Sequence, residues 1–145
     1  MATPAGDSRE QREAEKWLIQ ALSRKLKVRL TKGKIQIDGG GQLELDGYCK
    51  SPRILCEAWA HIGTPRPAQR NKVMTDALKL LYAAKLSGRN GQRILLFADE
   101  EAAAPFKGKG WTAQCLREYD IQVNVIGLPR KLRDAVEKAQ RRQYR

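Results

Sequence analysis

The chain has 145 residues, 41% of them hydrophobic and 30% charged, with a formal net charge of +12. That length suits one domain around one core, and no stretch approaches the roughly twenty apolar residues of a membrane-spanning helix, so no membrane association is expected. The opening MATPAGDSREQREAEKW has no apolar core of a secretory signal, and Cys49, Cys56 and Cys115, an odd number in no paired spacing, read as buried free thiols rather than a disulfide framework or a zinc site. A reducing, cytoplasmic setting is the expectation.

Residues 1–6 read as a disordered tail on a single domain spanning 1–145. From Asp7 a helix is predicted, with Ala14, Trp17, Leu18, Ala21, Leu22 and Leu26 on one apolar face. Ile35 and Ile37 alternate with polar residues in a strand from Lys34 to Asp38. Gly39-Gly40-Gly41 permits a tight reversal. Gln42 to Asp46 returns as the second strand, ended by Gly47. After the break at Ser51-Pro52, Arg53 to Ala60 forms a third strand whose run Ile54-Leu55-Cys56 is apolar on both faces, which places it centrally in the sheet.

Thr64 and Pro65 open the next helix, which runs to Leu86 with Met74, Ala77, Leu78 and Leu81 as its core stripe. Arg93 to Ala98 is a buried strand. Asp99 to Ala104 forms a helical turn stopped by Pro105, and FKGKGW is a loop. Trp111 to Tyr119 is helical, Ile121 to Ile126 is the last strand, and a helix from Pro129 turns Leu132, Ala135, Val136 and Ala139 inward. The order predicts a three-layer α/β domain: a mixed central sheet with an antiparallel hairpin, parallel pairing in its second half, and helices on both faces.

Charge is unevenly spread. Residues 1–34 hold nine basic and four acidic side chains, residues 128–145 seven and two, and the centre is nearly balanced. Basic terminal segments of this kind suit phosphate backbones, so nucleic acid, DNA first, is the expected partner. A homodimer is compatible with the sequence.

Against that background two carboxylates stand out. Asp46 and Glu57 each close an apolar run on successive strands, and alternation puts Glu44 beside Asp46 and His61 beside Glu57 and Trp59. Two acids so close repel unless a cation, a basic neighbour or water lies between them. A hard divalent ion takes oxygen ligands of this kind. On the following helix Gln69, Lys72, Asp76 and Lys79 share a polar arc opposite Met74, Leu78 and Leu81, from which Lys72 or Lys79 can lean over the strand ends. Each residue also has a plainer role: Asp46 bonding turn amides, His61 as a loop residue, Trp59 as core, the arc as a solvated helix face.

The hairpin strand ending in Asp46, ten intervening residues, then ILCEAW carrying Glu57, resembles the PD-(D/E)XK nuclease superfamily, and helix–three strands–helix–strand resembles its common core over about residues 8–126. The resemblance implies a restriction endonuclease-like fold and a metal-dependent DNA phosphodiesterase. Asp46, Glu57 and Glu44 would be ligands to Mg²⁺ (or Mn²⁺), and Gln69 and Lys72 would be supporting residues. Two positions depart from the pattern: Leu45 precedes Asp46 where the family has proline, and Trp59 stands where it has lysine. Lys72 or Lys79 would then supply the missing cation, with His61 as an acid or base. Without such a replacement the domain is a catalytically inactive nucleic-acid-binding module, and a third reading is an assembly subunit docking an acidic protein. Arg66, Arg70, Lys107, Lys109, Arg141 and Arg142 are the expected nucleic-acid contacts.

Overall fold

The computed structural model describes residues 8–88 and 91–143; the predicted tail, 1–6, lies outside them. Helix α1 (Arg9–Leu26) starts at a capping box. The Ser8 hydroxyl accepts from the Gln11 N–H (3.1 Å) and the Gln11 side-chain oxygen accepts from the Ser8 N–H. Strands β1 (Thr31–Gln36), β2 (Gln42–Lys50) and β3 (Arg53–Trp59) form an antiparallel meander. Gly39, Gly40 and Gly41 all take positive φ (94°, 118° and 93°) in the first reversal, as the sequence suggested. Helix α2 (Pro67–Ser87) crosses to β4 (Gln92–Phe97), which pairs parallel with β3. A short α3 (Glu100–Ala103), a 3₁₀ turn and α4 (Trp111–Glu118) lead to β5 (Ile121–Val125), parallel to β4, and α5 (Arg130–Gln143) ends the described chain.

The five strands lie in sequence order. On one face α1 and α5 pack Leu18, Leu22 and Val136 against Ile54, Cys56, Ile94 and Leu96. On the other α2 and α4 pack Val73, Leu80 and Leu116 against Leu55, Leu95 and Phe97. Burial of each such side chain contributes about 1.5–3 kcal/mol. The fold is therefore α/β, with a mixed sheet between two helical layers. Among the described residues no helix is long and apolar enough to cross a membrane. The three cysteines are free, and burial pushes the Cys56 thiol well above its ordinary value.

Three local expectations are corrected. Helix α2 begins at Pro67, not Pro65; the Thr64 hydroxyl donates to Glu101 (2.7 Å) instead of capping the helix. Its buried stripe is Val73, Ala77, Leu80, Ala83 and Ala84, while Leu78 is 67% exposed. The helix is thus rolled by about one residue relative to the sequence reading, because Leu80 and the small Ala83 and Ala84 fit closer to the sheet than Met74 and Leu78. The roll brings Gln69, Lys72, Asp76 and Lys79 beside the buried stripe rather than opposite it. Finally, β2 does not stop at Gly47 but runs on to Lys50, because Gly47 to Lys50 pair with Cys56 to Arg53 of β3; the missing side chain of Gly47 leaves space for Ile19, whose Cδ1 would lie 2.9 Å from a Cβ there.

Candidate active site where two strands part

The continuation of β2 through Gly47 carries a bulge. Gly33 faces Leu45 and Thr31 faces Tyr48, so three steps along β2 match two along β1, and the extra residue falls at Asp46–Gly47. On the other side of β2, pairing with β3 runs from Lys50↔Arg53 to Gly47↔Cys56 and stops there. The strands part immediately beyond. The Ala58 N–H, on the edge of β3 that β2 has left, donates to Asp46 Oδ2 (2.9 Å). The bulge turns the Asp46 side chain into the gap between the strands, toward Glu57.

Glu57 is 4% exposed. Its Oε1 is paired with Lys79 Nζ from α2, and Asp46 bears on its electrostatics. Burial, then Asp46, pushes the Glu57 carboxyl up to about 9 against the pull of Lys79. The Glu57 carboxyl therefore keeps its proton at neutral pH. Burial works to lower the Lys79 ammonium. The bond to Glu57 and the charges of Glu57, Asp76 and Asp46 together hold it above its ordinary value. Asp76, one turn before Lys79, is raised by burial, with Lys79 opposing and Asp46 reinforcing the shift.

The loop after β3 is fastened from two sides. Gln140 brackets Ile62, accepting from its N–H (2.8 Å) and donating to its carbonyl (2.9 Å). Asp99 accepts from the Gly63 N–H (2.8 Å) and pairs with Arg133 (3.2 Å). Held in this way, His61 is buried beside Trp59 (ring centroids 5.9 Å apart), with its Nδ1 3.4 Å from Gln69 Nε2. Burial lowers the imidazole, so it is neutral at neutral pH. Lys72 Nζ lies 5.5 Å from the centre of the Trp59 ring, a cation–π contact.

Asp46, Glu57 and Lys79 thus meet, His61, Gln69 and Lys72 form a second group around Trp59, and Glu44 joins neither. Glu44 is exposed and lies 3.9 Å from Lys34. Among the described residues no group of three or more His, Cys, Asp or Glu side chains is placed to hold a metal ion; the oxygen pair of Asp46 and Glu57 is the donor set available. Of the expected nucleic-acid contacts, Lys107 pairs with Glu100 (3.1 Å) and Arg142 with Glu10 (2.8 Å). The Arg66 N–H donates to Gln69 (2.7 Å) at the start of α2, and Arg141 is exposed on α5. Arg70 and Lys109 line one groove between α2 and the segment preceding α4.

The basic N-terminal segment was expected to meet a phosphate backbone, but the particular residues that share a cleft with Asp46 were not singled out. A cleft of about 730 Å³ between α1 and the β1–β2 edge has Asp46 in its lining together with Arg9, Arg12, Lys16 and Lys32, and with Glu13 and Glu15, of which Glu13 pairs with Arg9 (3.4 Å). The three-and-four spacing of Arg9, Arg12 and Lys16 on one helix face was the signal that could have found it.

The chain matches no protein-family model, and no curated protein or solved structure matches it significantly.

Proposed function

We propose that this chain is a metal-dependent nuclease that hydrolyses DNA phosphodiester bonds, a divergent PD-(D/E)XK enzyme on a restriction endonuclease-like fold whose catalytic lysine has moved to the helix after the third strand. The observation that carries the reading is the contact of the Lys79 ammonium with the buried Glu57 carboxyl, beside Asp46. Trp59 occupies the position where the resemblance expects lysine, and Lys79 brings an ammonium to the same acid from outside the strand.

The residues fit a Mg²⁺ or Mn²⁺ ion. Asp46 and Glu57 are hard oxygen donors beside the point where β2 and β3 part, and a pair of this kind leaves positions for water and phosphate. Bound there, such an ion polarises a phosphate oxygen and acidifies a water molecule. The chain's own groups do the rest. Glu57 gives up its proton to become the second carboxylate. Lys79 sets a positive charge beside the phosphate, where negative charge grows in the transition state. Arg9, Arg12, Lys16 and Lys32 hold the backbone that leads to Asp46. Neutral His61, aligned by Gln69, orients water or the leaving oxygen at the edge of the site.

The test is cleavage of plasmid and linear DNA with Mg²⁺ or Mn²⁺. Wild type cuts, EDTA stops it, and Asp46→Ala and Glu57→Gln abolish it with unchanged circular dichroism. Cleavage that survives both substitutions rejects the assignment. DNA binding without cleavage under any metal condition instead supports the inactive binding module.

A further inference from the structure

Helix α2 has two flanks beside its buried stripe. One carries Asp76 and Lys79 over the acidic pair. The other, bearing Arg70, Met74 and Leu78, forms one wall of a groove of about 840 Å³, and the opposite wall runs from Pro105 through Lys109 to Trp111. Trp111 is 73% exposed and Leu78 67% exposed, the two most exposed large apolar side chains among the described residues. No carboxylate lines the groove. Gly110 has nothing within 4 Å of where a Cβ would sit, so the backbone leading into α4 is open to a ligand beside the indole.

We propose that this groove binds single-stranded nucleic acid, with an unpaired base stacked on Trp111 and the adjoining phosphates on Lys109 and Arg70. An exposed indole flanked by two cations and no acid matches the paired needs of such a strand: a π face for the base and positive charge for the backbone. A second copy of this chain is disfavoured as occupant, because it brings the same net charge of +12 to a groove that is itself basic. The choice of nucleic acid as partner rests on the nuclease reading; the groove itself lies on the opposite flank of α2 from the acidic pair and does not depend on it. Substrates with an unpaired segment, such as flaps, overhangs or bubbles, would engage both flanks.

The experiment is fluorescence anisotropy of a labelled twelve-nucleotide oligothymidylate and of a duplex of the same length, with EDTA present so that nothing is cut. Trp111→Ala weakens oligothymidylate binding about tenfold, as expected for one lost base–aromatic stack, and Lys109→Glu weakens it further. Trp111→Phe retains most of the affinity, and duplex binding changes less than threefold in Trp111→Ala. Wild type that loses oligothymidylate affinity on Trp111→Ala yet cleaves no DNA with Mg²⁺ or Mn²⁺ keeps this site while rejecting the nuclease reading, so the two failures are read separately. Unchanged oligothymidylate affinity in Trp111→Ala and Lys109→Glu overturns the proposal. So does a wild-type dimer in sedimentation that Trp111→Ala dissociates, which would make the groove a self-interface.

Discussion

Replacing Glu57 by Gln tests the electrostatics of the acidic pair without any substrate. In the folded metal-free protein the Glu57 carboxyl titrates at about 9, against an ordinary value of 4.5. Folding therefore takes up a proton between those two values. The resulting stability is fully present below about pH 4.5 and is lost as pH rises through about 9. One proton gives a slope of about 1.4 kcal/mol per pH unit, so wild type should lose about 3 kcal/mol from this source between pH 6 and pH 8. A glutamine resembles the protonated acid: its carbonyl accepts from Lys79, and it does not titrate. Glu57→Gln should match wild type near pH 5 and exceed it progressively at higher pH. Asp76, raised in the same direction, contributes a slope common to both proteins. The assay is urea unfolding in EDTA at half-unit pH steps. With about 1–3 kcal/mol per molar urea, the midpoints should separate by on the order of 1 M at pH 8. Parallel stability curves for the two proteins would refute the retained Glu57 proton.

Three further outcomes follow from the geometry. Lys79→Ala should lower DNA cleavage at least about a hundredfold, the scale of one lost electrostatic contact to a transition state, while far-ultraviolet circular dichroism stays unchanged because the Lys79 side chain is 29% exposed; single-turnover kinetics checks it. Lys16→Gln and Lys32→Gln in the cleft at Asp46 should each weaken duplex binding and reduce the slope of log affinity against log salt by about one, read from titrations at several salt concentrations. Gly33→Ala should destabilise the chain by about 1–3 kcal/mol, since the added Cβ would meet Tyr48 Cβ at 2.5 Å opposite the bulge; chemical denaturation measures it.

Much of the architecture was legible because its signals are local. The run Ile54-Leu55-Cys56 is apolar on both faces since helices cover both faces of β3. Three glycines could only be a reversal. Asp46 and Glu57 stood out because each interrupts an apolar stretch, and the structure brings them together. The bulge that makes this possible was not legible. Gly47 looked like a terminator, but it is a rung of the ladder with β3, and the packing of Ile19 over it favours a residue without a side chain. The roll of α2 was hidden for a related reason: Met74 and Leu78 are as apolar as Val73 and Leu80, and tertiary fit decides between two adjacent stripes on one helix. That same roll selects Lys79 over Lys72 as the partner of Glu57, a choice that spacing left open. Lys72 lies over Trp59 instead. Glu44, by sequence a neighbour of Asp46, is separated from the pair because the bulge redirects Asp46 alone.

The account depends on the buried acids exchanging the Glu57 proton for a divalent cation, and calorimetric titration of Mn²⁺ and Mg²⁺ into the metal-free protein measures that exchange directly. Near pH 7 wild type should bind one ion per chain and release about one proton, seen by repeating the titration in buffers of different ionisation enthalpy, with affinity rising up to about tenfold per pH unit. Asp46→Ala and Glu57→Gln should each abolish the heat. Absence of binding by wild type, or binding that both variants retain, would contradict the account.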